Sequence, residues 1–232
     1  MRNILILILV LLGLFGLYAQ DESSAEYLPS LTASEALKEI SVNKMEDAGF
    51  WKGEISSDFG LLQLRDFDGG SRNKEPIAAE EQSNIIEPDN KVIGVKVSFL
   101  RRGVTEFSIE SARPLPIEGI TKTVSVWVVG RNIGHELSLL ITDGIGQRSV
   151  IPMGKINHSG WKKMTVTIPP HIKQRDYHYG YRTGISVVGF IVNCEIDETY
   201  GRYYIYLDDL RAVTDLFDEE LLKDSDDMLD AW

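Results

Sequence analysis

Residues 123–129 read Thr-Val-Ser-Val-Trp-Val-Val, a stretch that puts Val124, Val126 and Val128 on one side and Ser125, Trp127 and Val129 on the other. Alternation of period two is the geometry of a β-strand with one buried face. A helix would scatter the same three valines around its circumference. The neighbouring stretches repeat the pattern. Residues 92–100 (VIGVKVSFL) alternate through Val95, Val97 and Phe99, and residues 203–207 (YYIYL) and 164–168 (MTVTI) do the same. Further apolar, β-branched runs occupy 62–65, 106–109, 137–141, 148–151 and 185–192. Turn residues such as Asp68-Gly69-Gly70 and Asp143-Gly144 separate them. Short strands with turns every 10–15 residues or so predict an all-β, jelly-roll-like antiparallel β-sandwich rather than alternating β and α units. The expected sandwich spans 46–214.

Helical spacing is confined to the two ends. Thr32 or Ser34 could cap a short helix through Ala36, Leu37 and Ile40, within an extension covering 20–45. Residues 215–232 form an acidic amphipathic tail, in which Phe217, Leu221, Leu222, Met228, Leu229 and Trp232 recur at near-helical spacing among eight carboxylates and one lysine. Acidic runs are ordinarily solvated. Large apolar residues throughout this one give equal standing to a docking segment.

Arg2 followed by the apolar run Ile4–Leu17 and then Ala19 before polar sequence is the pattern of a secretory signal peptide over 1–19, with cleavage after Ala19. Its roughly 14 apolar residues fall short of the ~20 needed to cross hydrocarbon. The expectation is an exported, soluble chain with no membrane attachment after cleavage. Cys194 is the single cysteine, so no intramolecular disulfide is possible, which favours a bacterial periplasm over a eukaryotic exterior. The formal charge of −11 disfavours nucleic acid and anionic lipid as partners.

The residues speak against catalysis. Gly-x-Ser-x-Gly is absent, Cys194 has no histidine near it in sequence, and His135, His158, His171 and His178 match no metal-binding spacing. Paired carboxylates sit at expected strand ends or in the tail rather than in a recognisable hydrolase arrangement. Trp127 and Trp161 lie in strands and are expected in the core.

An ordered series of segments carries a family resemblance. It runs through Val124–Asn132, Met153-Gly-Lys with Gly160-Trp-Lys-Lys-Met164, Ile168-Pro-Pro170, Gly184-Ile185 and Gly189-Phe-Ile191. It ends in Tyr203-Tyr-Ile-Tyr-Leu-Asp-Asp-Leu-Arg-Ala-Val-Thr-Asp-Leu-Phe217. Together these resemble the flagellar filament outer layer (sheath) protein A family of spirochaetal periplasmic flagella, from roughly Phe50 onward. The resemblance implies a periplasmic, non-catalytic sheath subunit that assembles into a polymeric filament. Its implied partners are the flagellin core and other sheath proteins, and its implied effects are on filament shape, stiffness and motility. The alternative is a carbohydrate-binding jelly-roll module without catalytic activity.

Two constellations are candidate sites. In jelly-roll binding modules with a similar last strand, a carboxylate there meets an early acidic residue at a structural calcium. That implies Asp208 or Asp209 with Glu46 or Asp47, through hard oxygen ligands. The competing reading is aspartates that end a strand and accept turn hydrogen bonds. The loop 169–184 sets Tyr177, Tyr179 and Tyr181 beside Arg175 and Arg182, a basic aromatic patch on an acidic chain. Together with Phe217, Leu221 and Trp232 it is a candidate partner-binding surface; the competing reading packs the tyrosines on the sandwich edge.

Overall fold

The computed structural model describes residues 37–83, 88–175 and 183–216. Eleven strands make up the described fold: β1 (Leu37–Asn43), β2 (Trp51–Ile55), β3 (Gly60–Asp68), β4 (Lys91–Phe99), β5 (Thr105–Ile117), β6 (Ile120–Arg131), β7 (Glu136–Thr142), β8 (Arg148–Lys155), β9 (Ser159–Thr167), β10 (Ile185–Cys194) and β11 (Arg202–Asp215). A short helix α1 (Ala78–Ser83) and 3₁₀ turns at Ala48–Phe50 and Ile196–Glu198 interrupt them. One sheet runs β3-β4-β11-β6-β9 with β1 added on β11; the other runs β2-β5-β10-β7-β8. Every strand pairing among the described residues is antiparallel, and the two sheets form the expected sandwich.

The inner face is the one the alternation predicts. Val124, Val126 and Val128 of β6 are fully buried, as are Val95 and Val97 of β4, with Ile205 and Leu207 of β11 beside them. Phe107, Ile109, Leu137, Leu139, Phe190 and Val192 of the other sheet complete one core. Burying three valines is worth on the order of 5 kcal/mol, so a one-residue slip of β6 is strongly disfavoured.

Three expectations need correction. The segment expected as a helix through Leu37 and Ile40 is β1, paired with β11 from Leu37↔Asp215 to Asn43↔Leu210. Beyond Leu207, where pairing with β4 stops, this edge of β11 would be bare without β1. Satisfying that row of backbone groups outweighs a weak helical pattern, and Ile40 and Val42 pack on the core as alternating strand residues. The sandwich therefore begins at Leu37 rather than at 46. Trp127 and Trp161 are half-buried on the outward face, because they alternate with the buried valines and Trp161 sits opposite Val129. Asp208-Asp209 does not end a strand: β11 continues to Asp215. The remainder of the tail, from Phe217 on, lies outside the described residues.

Candidate docking surface

Strand β11 organises both constellations. Its pairing with β6 is irregular between Asp208 and Arg211, and Asp209 takes a left-handed backbone with φ 52°. This bulge buries two aspartates and an arginine in succession. The Lys74 ammonium stands 3.0 Å from both carboxylate oxygens of Asp208 and also donates to Asp89. Arg211 donates to Asp209 Oδ2 at 2.6 Å and, through its other branch, to the Glu75 carbonyl at 2.6 Å. Burial pushes the Asp208 carboxyl up to about 6, and the hydrogen bonds and charge of Lys74 only partly oppose it.

The expected convergence on calcium is not what this geometry shows. Glu46 accepts the Lys91 backbone N–H at 2.9 Å, and Asp47 caps the 3₁₀ turn through the Gly49 N–H at 2.8 Å. Asp208 and Asp209 are engaged instead by Lys74 and Arg211. Side-chain cations thus do the neutralising that an ion would have been asked to do. No group of three or more His, Cys, Asp or Glu suited to a metal occurs among the described residues.

The other constellation lies where sequence reading did not look. Register across β3, β4 and β11 aligns Gln63, Lys96 and Tyr204 in one row and Arg65, Gly94 and Tyr206 in the next, all on the outer face of the six-stranded sheet. They line, with Phe67, a groove of about 260 Å³. Its floor is Gly94. A Cβ there would stand 2.4 Å from the Phe67 ring and 3.0 Å from the Tyr206 ring, so only glycine lets the two rings meet over the strand. They do so edge to face, with centroids 5.6 Å apart. The Arg131 guanidinium covers Tyr206 at 5.5 Å.

The groove opens onto the end of the sheet where β3 and β11 begin and β4 ends. Leu61, Leu100 and Tyr200 are exposed there by 63, 64 and 61 %, with Arg102 over the Tyr200 ring. Arg65, Lys96, Arg131 and Arg202 have no carboxylate partner among the described residues. Four cations without a described carboxylate partner thus surround exposed aromatic and aliphatic side chains on a chain of net charge −11.

Sequence reasoning missed this surface because its residues come from three strands, of which β11 lies more than a hundred positions from the other two. Of the loop it chose, Arg175 is bridged to Thr183, whereas Tyr177, Tyr179, Tyr181 and Arg182 lie outside the described residues, as do Phe217, Leu221 and Trp232. Cys194 is half-buried, and burial pushes its thiol up to about 12, which makes a poor nucleophile. His135 is fully buried against Tyr203, its Nδ1 accepting the Glu195 N–H at 3.1 Å, and burial holds its pKa below the usual range.

Fold and surface define a class: an antiparallel two-sheet sandwich with a groove of aromatic and basic side chains on one outer face. The family model described as "Flagellar filament outer layer protein Flaa" matches residues 21–221, and the chain belongs to that family. A flagellar filament outer layer-like protein of Brachyspira hyodysenteriae (strain ATCC 49526 / WA1) is 34% identical over 199 residues, 86% of this chain and 88% of that one. Among solved structures, the chain is similar to a family 11 carbohydrate-binding module from Clostridium thermocellum, in complex with a mixed-linked tetrasaccharide. That likeness has TM-score 0.41 and 8% identity, over 78% of this chain and 98% of that one. A C-terminal family 22 carbohydrate-binding module from the same organism gives TM-score 0.37 and 13% identity, over 74% and 92%.

Proposed function

We propose that this chain is a non-catalytic structural subunit of the outer layer that sheathes periplasmic flagellar filaments. It would lie against the flagellin core beside other sheath proteins, and so set filament shape, stiffness and cell motility. The observation that carries the reading is the family match over residues 21–221. The leader-like residues 1–19 are consistent with export to the periplasm. A subunit of this kind needs a firm body and an exposed docking face, and the outer face of the six-stranded sheet supplies the second.

The test is to strip filaments from cells with and without the gene. The native protein should co-purify with filaments, and filaments lacking it should be thinner and altered in curvature, in cells that swim less well. A protein that stays in the soluble fraction, with filaments unchanged by its loss, would overturn the reading. A second reading, glycan binding without catalysis, is favoured by one observation: the exposed Phe67 and Tyr204 rings and the half-buried Tyr206 ring lie along a sheet face on which a sugar could stack. A glycan array probed with the native protein tests it, and loss of a positive signal in Tyr204→Ala would place the sugar on this face.

A further inference from the structure

The basic, aromatic groove takes its tyrosines from the first half of β11, and the acidic, apolar-anchored segment 217–232 follows the end of that strand in the sequence. We infer that the groove receives this segment from a second copy of the chain, giving a head-to-tail contact between subunits. The inference rests on the outer-layer reading only in supposing that copies of the chain lie close together.

Charge gives the first argument. Residues 217–232 hold seven carboxylates and one lysine, −6 of the chain's −11 in sixteen residues. The groove presents Arg65, Lys96, Arg131 and Arg202, none with a carboxylate partner among the described residues. Opposite unpaired charges on two parts of one molecule steer copies together and set the register of contact.

Side-chain type gives the second. The segment carries Phe217, Leu221, Leu222, Met228, Leu229 and Trp232 between its acids. The receiving end offers Phe67, Tyr204 and Tyr206 in the groove, and Leu61, Leu100 and Tyr200 at its mouth. A purely solvating acidic tail would have no use for such a surface, whereas apolar anchors within charged rims are the usual anatomy of a specific contact.

Polarity gives the third. Tyr204 lies near the start of β11 and Asp215 at its end, about 36 Å apart at ~3.3 Å per residue. Sixteen residues span only about 24 Å if their helical spacing is realised as a helix, which would fall short of the groove of the same copy. A neighbouring copy has no such limit. The resulting contact pairs unlike surfaces, and repetition of it yields an open line or a closed ring rather than a dimer.

Sedimentation velocity of the native protein over a range of concentrations tests this. The native chain should form concentration-dependent oligomers that dissociate in high salt. Arg65→Glu with Arg131→Glu alters only exposed side chains on the face, and truncation after Leu216 removes only the tail. Each should retain the native circular dichroism and melting temperature but associate at least about tenfold more weakly. Mixed together they should give a one-to-one complex and nothing longer, since one brings an intact tail and the other an intact groove. Native-like association by both variants, or no complex on mixing, overturns the inference. So does association lost in the face variant yet kept on truncation, since another surface or another protein then occupies the groove. A native chain that stays monomeric, with the groove protected from hydrogen exchange by its own tail, also overturns it. Co-purification with filaments is scored separately. A protein that co-purifies but does not self-associate removes the head-to-tail contact and leaves the outer-layer reading standing.

Discussion

The two sheets are alike inside and opposed outside. The outer face of the five-stranded sheet carries Glu54, Glu106 and Glu110, with Ser108 and Asn193 between them, and its cations are already engaged: Lys52 with Glu54 and Arg148 with Glu110 at 3.3 Å. The outer face of the six-stranded sheet carries Phe67, Tyr204, Tyr206 and Trp161 among Arg65, Lys96 and Arg131, whose charges are unanswered. The burial that holds the sandwich together says nothing about which outer face meets a partner. That information lies in the charges each face leaves unbalanced. On the six-stranded face Asp208 also sits at an outward position of β11, and Lys74 lies over it.

The hardest blow to this contrast is Lys74→Met, which leaves Asp208 buried without its cation. It should cost about 3–5 kcal/mol, a fall of roughly 10 °C in melting temperature. The loss should be smaller at pH 5 than at pH 8, because the orphaned carboxyl can take up a proton. Next comes the titration of Asp208 itself. Its folded pKa of about 6 lies above the usual 3.8, so the native state holds the proton more tightly than the unfolded chain. The stability this contributes is present below pH ~4 and is lost as pH rises through ~6, by up to about 3 kcal/mol. Asp208→Asn should flatten that part of the profile of melting temperature against pH.

A smaller effect is expected of Gly94→Ala. Phe67 sits on the edge strand β3 and can swing outward, so the added methyl should cost about 1 kcal/mol by thermal melting. Self-association should weaken more than stability, because the added methyl fills the groove floor and displaces the Phe67 ring. On the other face Arg148→Gln should leave both melting temperature and self-association unchanged, since an exposed ion pair contributes little. An Arg148→Gln chain that failed to assemble would show that the acidic face also takes part.

How much of this could be read beforehand depends on the range of the information. Val124, Val126 and Val128 announce a buried face by themselves, and Val95, Val97 and Phe99 announce another; both rows lie in the core. Alternation is local, so it is legible locally. The same alternation placed Trp127 opposite the valines, and expecting it in the core ranked hydrophobicity above phase. β1 was hidden because its structure comes from a partner strand some 170 residues away, not from its own spacing. The groove was hidden for the same reason, since Arg65, Gly94 and Tyr206 become neighbours only once two registers are set. Lys74 in its loop gave no local sign of reaching Asp208.

The bulge at Asp209 also exchanges odd for even along β11. Upstream, Tyr203, Ile205 and Leu207 point inward; downstream it is Leu210 and Ala212 that do. One left-handed residue thus works as a half-step shifter in a two-step ratchet. Straightening the bulge with the residue kept would invert the parity of everything after it, turning Leu210 and Ala212 to the outside and Arg211 to the inside, while leaving Tyr204 and Tyr206 where they are. The strand can therefore tolerate changes of side chain along most of its length, but at this point it cannot tolerate an even step.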